Sequence, residues 1–380
     1  MRLALDGARA ATHREGLGNY GRFVIRSLAT HYPDCQIDVY VPNVRVEDSL
    51  LSDAASYPNV NVICPKNPLY VYIPWLWREI GVPLAVKRSH ADIFHGLSNV
   101  LPCLMGKVKG CRQVVTIHDL IFLSFPSSYT WLQRHRYNWT NRRACRKANR
   151  IIAVSEFTAK EIVKYFFIPK DKISVIYQGC DRLFAEPCSE GFKDLVRHHF
   201  SLPKRYILTV GTLHERKNAE LVVRALPAID SDISLVMVGR KKKYAEKVLE
   251  VAKECGVMSR IIILDNVSHK ELPAIFQMAE AFVFPSKIEG FGIPVLEAMN
   301  SRIPVLTATG SSLEEAGGDA AIYVDPDNLD EFASKLKELL DNEVLRTEMT
   351  EKGQLHASSE RFSEKAMAES LMSIYQSLQK

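Results

Sequence analysis

Short apolar runs alternate with amphipathic stretches from one end of this chain to the other, and few architectures accept that order. Candidate strands read Leu3–Leu5, Ile37–Val41, Val60–Ile63, Ile93–Phe94, Val114–Ile117, Ile151–Val154 and Ile173–Ile176. After a break come Tyr206–Val210, Leu235–Val238, Ile261–Leu264, Ala281–Phe284, Val305–Thr307 and Ala321–Val324. Helical patterns lie between them, such as Tyr20–Thr30, Thr158–Phe166, Ala219–Ala228 and Tyr244–Glu254. Strands that run the same way need a crossover between them, and strands covered on both faces read as apolar runs. The alternation therefore predicts an α/β fold of parallel sheets with helices on both faces. The break, Cys180–Lys204, holds Pro187 and Pro203 and no clear strand. It divides the pattern into two doubly wound domains, at 1–185 and 203–363, facing a cleft at the carboxyl ends of their strands. The tail reads as one more helix, with Ala366, Leu371, Ile374 and Leu378 on one side. At 380 residues the chain is long enough for both domains.

Charge is divided unevenly. Residues 1–200 carry 27 Lys and Arg against 17 Asp and Glu, a net +10, whereas residues 201–380 carry 22 against 27, a net −5. The densest basic cluster is Arg134-His135-Arg136, Arg142-Arg143, Arg146-Lys147 and Arg150, interleaved with Trp131, Tyr137 and Trp139. A solvated helix, a face for an anionic membrane surface and a nucleic-acid site all fit it, but no nucleic-acid module accompanies it. Nucleic acid is therefore not expected as a partner. The aromatic stretch Val71-Tyr72-Ile73-Pro74-Trp75-Leu76-Trp77 fits either core or the binding of a sugar ring or lipid-linked acceptor. No apolar run is long enough to span a membrane. Asp6 stands where a signal peptide needs an apolar core. Eight scattered cysteines without a Cys-x-x-Cys pair read as reduced thiols. These features predict a cytoplasmic protein, with peripheral attachment to the inner face of the membrane if the basic face binds lipid.

The stretch most informative about chemistry is Pro285-Ser286-Lys287-Ile288-Glu289-Gly290-Phe291-Gly292-Ile293-Pro294-Val295-Leu296-Glu297. It follows an apolar strand and runs into a helix, with Gly290 and Gly292 between Glu289 and Glu297. A glycine loop at a helix start points backbone N–H groups at an anion. A nucleotide sugar needs both features, because its diphosphate takes N–H donors and its hydroxyls take carboxylates. Two solvated glutamates on a turn fit the pair alone equally well. Earlier, Gly211-Thr212-Leu213-His214-Glu215-Arg216-Lys217-Asn218 follows a strand and enters a helix near Asn218. Arg216 and Lys217 are then fixed cations, as a diphosphate leaving group requires; a basic surface loop is the plain alternative. His118-Asp119 follow Val114–Ile117 at a carboxyl end, where they serve either a ligand or a capping turn. There a neutral imidazole is suited to donate a hydrogen bond to a sugar hydroxyl or a backbone oxygen.

Together these segments resemble retaining GT-B glycosyltransferases of family 4, through a Glu-x7-Glu motif and a Gly-x-x-x-x-Arg-Lys-Asn segment in one domain. The resemblance runs along most of the chain. It implies two Rossmann-like domains facing a cleft, with helix 364–380 packed back on the first. It also implies catalytic roles for Arg216, Lys217, Glu289 and His118. Arg216 and Lys217 would clamp the diphosphate, Glu289 would hold the donor hexose, and His118 would lie against the donor sugar. Substrate contacts would come from Gly16, Gly18, Asp119, Gly211, Val267, Gly290, Phe291, Gly292, Ile293, Val295, Leu296 and Glu297. Of these, Glu297 would hold ribose hydroxyls and Val267 would mark the base-binding region.

Gly16-Leu17-Gly18-Asn19-Tyr20-Gly21 spells a dinucleotide fingerprint but stands too far past the first strand to be one. The resemblance instead makes it the first-domain glycine loop of the family. Ser155 reads as a helix N-cap. The turn Tyr177–Asp181 departs from the family pattern at Gln178 and Cys180. Asp325-Pro326-Asp327 and Asp230-Ser231-Asp232 read as structural, so neither a metal nor another cofactor is expected. The function implied is a hexosyltransferase of surface polysaccharide assembly, such as O antigen or lipopolysaccharide. Its donor would be a nucleoside-diphosphate sugar, GDP-mannose above UDP-sugars, and its acceptor a saccharide or lipid-linked saccharide. A GT-B epimerase or phosphorylase and a non-catalytic nucleotide-sugar-binding protein are the rival readings.

Overall fold

The computed structural model describes residues 1–13, 16–42 and 50–379. It divides into two compact units, Met1–Gln178 with Glu360–Lys380, and Gly179–Ser359. In the first unit, strands β1 (Arg2–Asp6), β2 (Gln36–Tyr40), β3 (Val60–Ile63), β4 (Ile93–Gly96), β5 (Arg112–Ile117), β6 (Arg150–Ala153) and β7 (Ile173–Val175) form one sheet. Its order is β3-β2-β1-β4-β5-β6-β7, and every neighbouring pair is parallel. In the second unit, β8 (Arg205–Val210), β9 (Ile233–Val238), β10 (Ile261–Leu264), β11 (Ala281–Phe284), β12 (Val305–Ala308) and β13 (Ile322–Val324) are ordered β10-β9-β8-β11-β12-β13. All of these pairs are parallel too. Each apolar run of the sequence is thus a strand, with ends shifted by a residue or two.

The apolar runs follow from burial on both faces. In β11, Ala281 and Val283 join a core with Val222, Leu226, Val248, Leu336 and Leu339 from helices on one side. Phe282 and Phe284 point the other way, and Phe276 packs 5.3 Å from Phe282. With every side chain of β11 buried, none can be polar.

Sequence order reverses between β1 and β4 in one sheet and between β8 and β11 in the other. Loops leaving two strands on either side of such a reversal turn to opposite faces of the sheet and leave a crevice between them. This places the loops after β8 and β11 side by side, since Leu208 pairs with Phe282.

The break at 180–204 is not a linker. It carries the helix Glu190–His199, capped by Ser189, whose Oγ accepts from the Phe192 N–H at 3.3 Å. Gln277 ties it down, accepting from the Cys188 N–H at 2.9 Å and donating to the Glu186 carbonyl at 2.8 Å. The division therefore falls at Gly179, not within 186–202. Prolines suggested a loop there; a serine cap and an amphipathic turn outweigh them.

The tail helix Glu364–Ser377 belongs to the first unit. Its buried stripe is Met367, Ala368, Leu371, Met372 and Tyr375, not the one through Ala366 and Ile374. Apolar residues lie on both sides of this helix, so periodicity leaves the phase open. Glu364 sets it by pairing with Arg26 at 2.7 Å. So does Tyr375, whose hydroxyl meets His95 Nδ1 at 2.7 Å. His95 Nε2 in turn lies 2.8 Å from Thr116 Oγ1, which also meets the Tyr20 hydroxyl at 2.9 Å. All four residues are buried, and each polar atom of this chain has a partner, which removes the cost of leaving it dry.

Candidate active site

The loop after β8 turns through Gly211 and a 3-10 turn, Glu215–Lys217, into the helix Ala219–Ala225. Asn218 joins them in the left-handed region at φ +58, which Asn tolerates better than most residues. Its Nδ2 donates to the Pro326 carbonyl at 2.7 Å. The loop after β11 is fixed by Ser312, whose Oγ lies 2.8 Å from the Glu289 carbonyl and 3.1 Å from that of Phe291. Gly292 ends it at φ +110, and a Cβ there would lie 2.7 Å from Leu313. Both facts call for glycine. The helix Ile293–Asn300 follows, with Pro294 in its first turn, where a missing N–H costs nothing.

The two loops converge on one carboxylate. Glu289 Oε1 lies 2.6 Å from Arg216 Nη1, 2.6 Å from Lys217 Nζ and 2.5 Å from Ser286 Oγ. Arg216 also donates to the Ile288 carbonyl at 3.0 Å, and its own carbonyl accepts from the Lys287 N–H at 2.8 Å. The Lys217 ammonium sits 4.3 Å from the centre of the Phe284 ring. Burial alone would raise the Glu289 carboxyl, but Arg216 and Lys217, helped by Ser286, outweigh it and bring it to about 2. Two cations against one carboxylate leave a surplus positive charge. That suits a polyphosphate approaching the loops.

Glu297 lies in a different setting. It is buried on the helix Ile293–Asn300, between Leu296 and Ala298, both fully buried. Burial pushes its carboxyl up to about 7; Asp181 adds to the rise, and His269 and Lys217 oppose it. His269 Nε2 meets Asp181 Oδ2 at 3.2 Å. Asn300 Nδ2 donates to Cys180 Sγ at 3.0 Å. The sequence reading missed this group of Asp181, His269 and Cys180 around Glu297. Two signals were available: the turn Tyr177–Asp181, which holds Cys180 and Asp181, and the position of His269 two residues past Val267, in the loop after β10.

Gly211, Arg216, Lys217, Glu289, Gly290, Phe291, Gly292, Ile293 and Glu297 all belong to the paired loops and the helix that follows. Val295 and Leu296 are wholly buried. Val267, half-buried, stands in the loop after β10.

Gly16, Gly18, His118 and Asp119 belong to the first unit. Gly16 and Gly18 do not form a loop. They open the helix Gly16–His31, and a short helix, Ala8–Thr12, separates them from β1. A Cβ on Gly18 would collide with the His13 carbonyl, whereas one on Gly16 would meet nothing. The helix start favours Gly18 through close backbone approach, a cause spacing alone does not show. His118 is buried: its Nε2–H donates to the Leu97 carbonyl at 2.8 Å, and its backbone N–H donates to Asn99 Oδ1 at 2.7 Å. The Tyr20 ring stands edge-on to it at 4.6 Å. Burial lowers its pKa to about 4. The ring is therefore neutral at pH 7, donating at Nε2 and leaving Nδ1 as an acceptor. Asp119 Oδ1 accepts from the Ile121 N–H at 3.2 Å, at the start of the short turn Ile121–Ser124.

The two Asp-x-Asp segments are held by partners. Asp230 and Asp232 meet Arg205 at 3.3 and 3.0 Å, and Asp327 pairs with Lys287. All eight cysteines are free thiols.

Residues 21–182 match the model of Glycosyltransferase Family 4, and residues 193–356 match that of Glycosyl transferases group 1. The chain is 25% identical to O-antigen chain mannosyltransferase B of Escherichia coli over 351 residues, covering 89% of this chain and 90% of that one. It is also 25% identical to the O-antigen chain mannosyltransferase RfbU of Salmonella typhimurium, covering 71% and 70%. Among solved structures it is similar to Anabaena Alr3699/HepE in complex with UDP and glucose, with a TM-score of 0.77 at 17% identity over 99% of each chain. A sucrose-phosphate synthase from Thermosynechococcus elongatus matches with the same TM-score at 19% identity over 100% of this chain and 99% of that one. The two parallel-sheet domains are those of a GT-B glycosyltransferase. Both halves of the chain are glycosyltransferase domains, the first of the Glycosyltransferase Family 4 type and the second of the Glycosyl transferases group 1 type.

Proposed function

We propose that this chain is a retaining hexosyltransferase that moves a sugar from a nucleoside-diphosphate donor, GDP-mannose foremost, to a saccharide or lipid-linked saccharide acceptor. The observation that carries the reading is the convergence of Arg216 and Lys217 on Glu289 in paired loops on either side of a strand-order reversal. The relatives named as mannosyltransferases of O-antigen chains support the choice of sugar and of surface polysaccharide as product. In this reading the donor diphosphate lies against Arg216 and Lys217. The acceptor hydroxyl attacks the anomeric carbon from the face the diphosphate leaves. The bond from that carbon to the phosphate oxygen breaks, and the departing phosphate takes the hydroxyl proton. The two cations stabilise the charge that grows on that phosphate. Glu289 sets their positions and remains beside the hexose, and Glu297 accepts from ribose hydroxyls.

With the leaving group neutralised by side chains, the reaction needs no divalent metal. A donor at 100 times its dissociation constant stabilises the fold by about 2.7 kcal/mol, which a thermal-shift series over GDP- and UDP-sugars reads directly. GDP-mannose is expected to give the largest shift, and transfer or slow hydrolysis of that donor is expected to continue in excess EDTA. Loss of activity with chelator, restored by magnesium or manganese, removes the metal-free scheme. Absence of a shift with every nucleotide sugar removes the function.

The same reading extends to attachment at an anionic membrane surface. Core residues Trp77, Val82, Met105, Ala144 and Cys145 join the segments 68–89 and 131–147 over one face of the first sheet. On their outer side Tyr72 is 84%, Trp75 66%, Trp131 69% and Trp139 61% exposed. The stretch 70–77 thus divides: Trp77 is core, its Nε1 donating to the Val41 carbonyl at 2.8 Å, while Tyr72 and Trp75 face outward. The basic helix Trp131–Lys147 divides likewise, since Arg143 donates to the carbonyls of Leu101 and Cys103 while Arg136 and Lys147 are exposed. Among the described residues no helix is long and apolar enough to cross a membrane. Exposed aromatics beside basic residues suit an interface, where each Lys or Arg contributes about 1 kcal/mol and salt screens it. The protein is expected to sediment with anionic liposomes at low salt, to release at high salt and to ignore neutral ones. Equal binding to both lipids, or to neither, makes this face solvated and points to a soluble acceptor.

A further inference from the structure

Beside the paired loops stands a third, and it brings more positive charge than two phosphate ligands account for. After β9 the chain reads Gly239-Arg240-Lys241-Lys242-Lys243. Its backbone is locked to the loop after β8. The Gly211 N–H donates to the Val238 carbonyl at 2.8 Å and the Leu213 N–H to the Arg240 carbonyl at 3.2 Å. A Cβ on Gly239 would collide with the Gly211 carbonyl, so this approach depends on glycine. The register brings Lys242 Nζ to 3.0 Å from His214 Nε2.

His214 stands in the same loop as Arg216 and Lys217. Burial lowers its pKa first, and Lys242, Arg216, Lys217 and Arg240 lower it further, to about 4. The imidazole is thus neutral, and Lys242 donates to an uncharged nitrogen. Glu289, the carboxylate at the centre of the site, is already shared by Arg216 and Lys217. A charge-assisted bond to a phosphate oxygen is about twice as strong as one between neutral groups and also outranks an ammonium on a neutral ring. Lys242 is exposed and ends a flexible stem, so it can change partners without moving the backbone.

We propose that Lys242 is a further phosphate-binding residue of the donor site, exchanging its bond to His214 for one to the diphosphate when a nucleotide sugar binds. This rests on the reading that Arg216 and Lys217 face that diphosphate. His214 is then the parking partner that keeps the ammonium beside the site, and the locked loops fix the distance it must cover.

Calorimetry with whichever of guanosine or uridine diphosphate the wild-type chain binds tests the assignment. Lys242→Met is expected to weaken the diphosphate about tenfold. The melting temperature without nucleotide should not change, because the side chain is exposed. Lys242→Arg is expected to hold affinity within about threefold of wild type, since it keeps the charge. Unchanged affinity in Lys242→Met, or an equal loss in Lys242→Arg, overturns the proposal. Arg216→Ala serves as the parallel arm. If it weakens the diphosphate while Lys242→Met does not, only this inference falls. If neither variant weakens it, the placement of the diphosphate falls with it.

Discussion

Arg216→Ala and Lys217→Ala are each expected to lower glycosyl transfer by about a hundredfold or more, the scale for removing one preorganised electrostatic stabiliser. A hundredfold corresponds to about 2.7 kcal/mol of lost transition-state stabilisation. The fold is expected to survive either change. The Arg216 carbonyl holds the Lys287 N–H through backbone, so that bond remains when the side chain is cut. In each variant Glu289 keeps the other cation and Ser286 Oγ at 2.5 Å. Removing both cations together is a poorer test, because Glu289 would be left buried and unpaired, a strongly destabilising arrangement. The measurement is kcat with the preferred donor, alongside a melting curve for each variant. Turnover equal to wild type in a folded variant would take that residue out of the mechanism.

Glu297 carries the second large effect, and its sign can be worked out. Its carboxyl titrates near 7 in the folded chain, raised from 4.5 by burial and by Asp181 against the pull of His269 and Lys217. Ribose hydroxyls donate to the carboxylate and poorly to the acid. Donor affinity is therefore expected to weaken by about tenfold for each pH unit below 7. A nucleotide sugar is the right probe, because its diester diphosphate exchanges no proton in this window. His118 and His214 are both already neutral there, so they do not mimic the effect. Stability of the unliganded chain moves the opposite way. A group whose folded pKa lies above its unfolded value contributes stability that is full below 4.5 and is lost as pH rises through about 7. Rising pH thus tightens the donor while this group's contribution to stability fades. Glu297→Gln is expected to flatten both profiles. A donor affinity that does not change between pH 8 and 5, or one that keeps its slope in Glu297→Gln, assigns the ribose to another residue.

The contrast between the two glutamates shows where sequence reading stops. Eight residues apart on one motif, they look alike as sequence, yet one is held near 2 and the other near 7. The difference comes from neighbours brought in by the fold. Arg216 lies 73 residues before Glu289, and their meeting depends on β8 and β11 being adjacent in the sheet. The cluster of Asp181 and His269 beside Glu297 depends on the segment after Gln178 joining the second unit, whereas the sequence division at 185 places Asp181 in the first.

Periodicity and turn chemistry determined the strands, because a strand buried on both faces must be apolar and a parallel sheet must alternate with helices. They also determined that Arg216, Lys217, Glu289 and the glycines between Glu289 and Ile293 stand on loops at strand ends, since such residues cannot sit inside the strands. Ser155 was legible as a cap for the same local reason, its Oγ accepting from the Thr158 N–H at 3.0 Å. Tertiary structure alone decided strand order, the phase of the tail helix, the start of the Gly16–His31 helix and the charge state of each buried group. Those depend on contacts between residues far apart in the chain. Local pattern carries no information about which distant cation reaches a carboxylate, and a buried charge takes its energy from that neighbour.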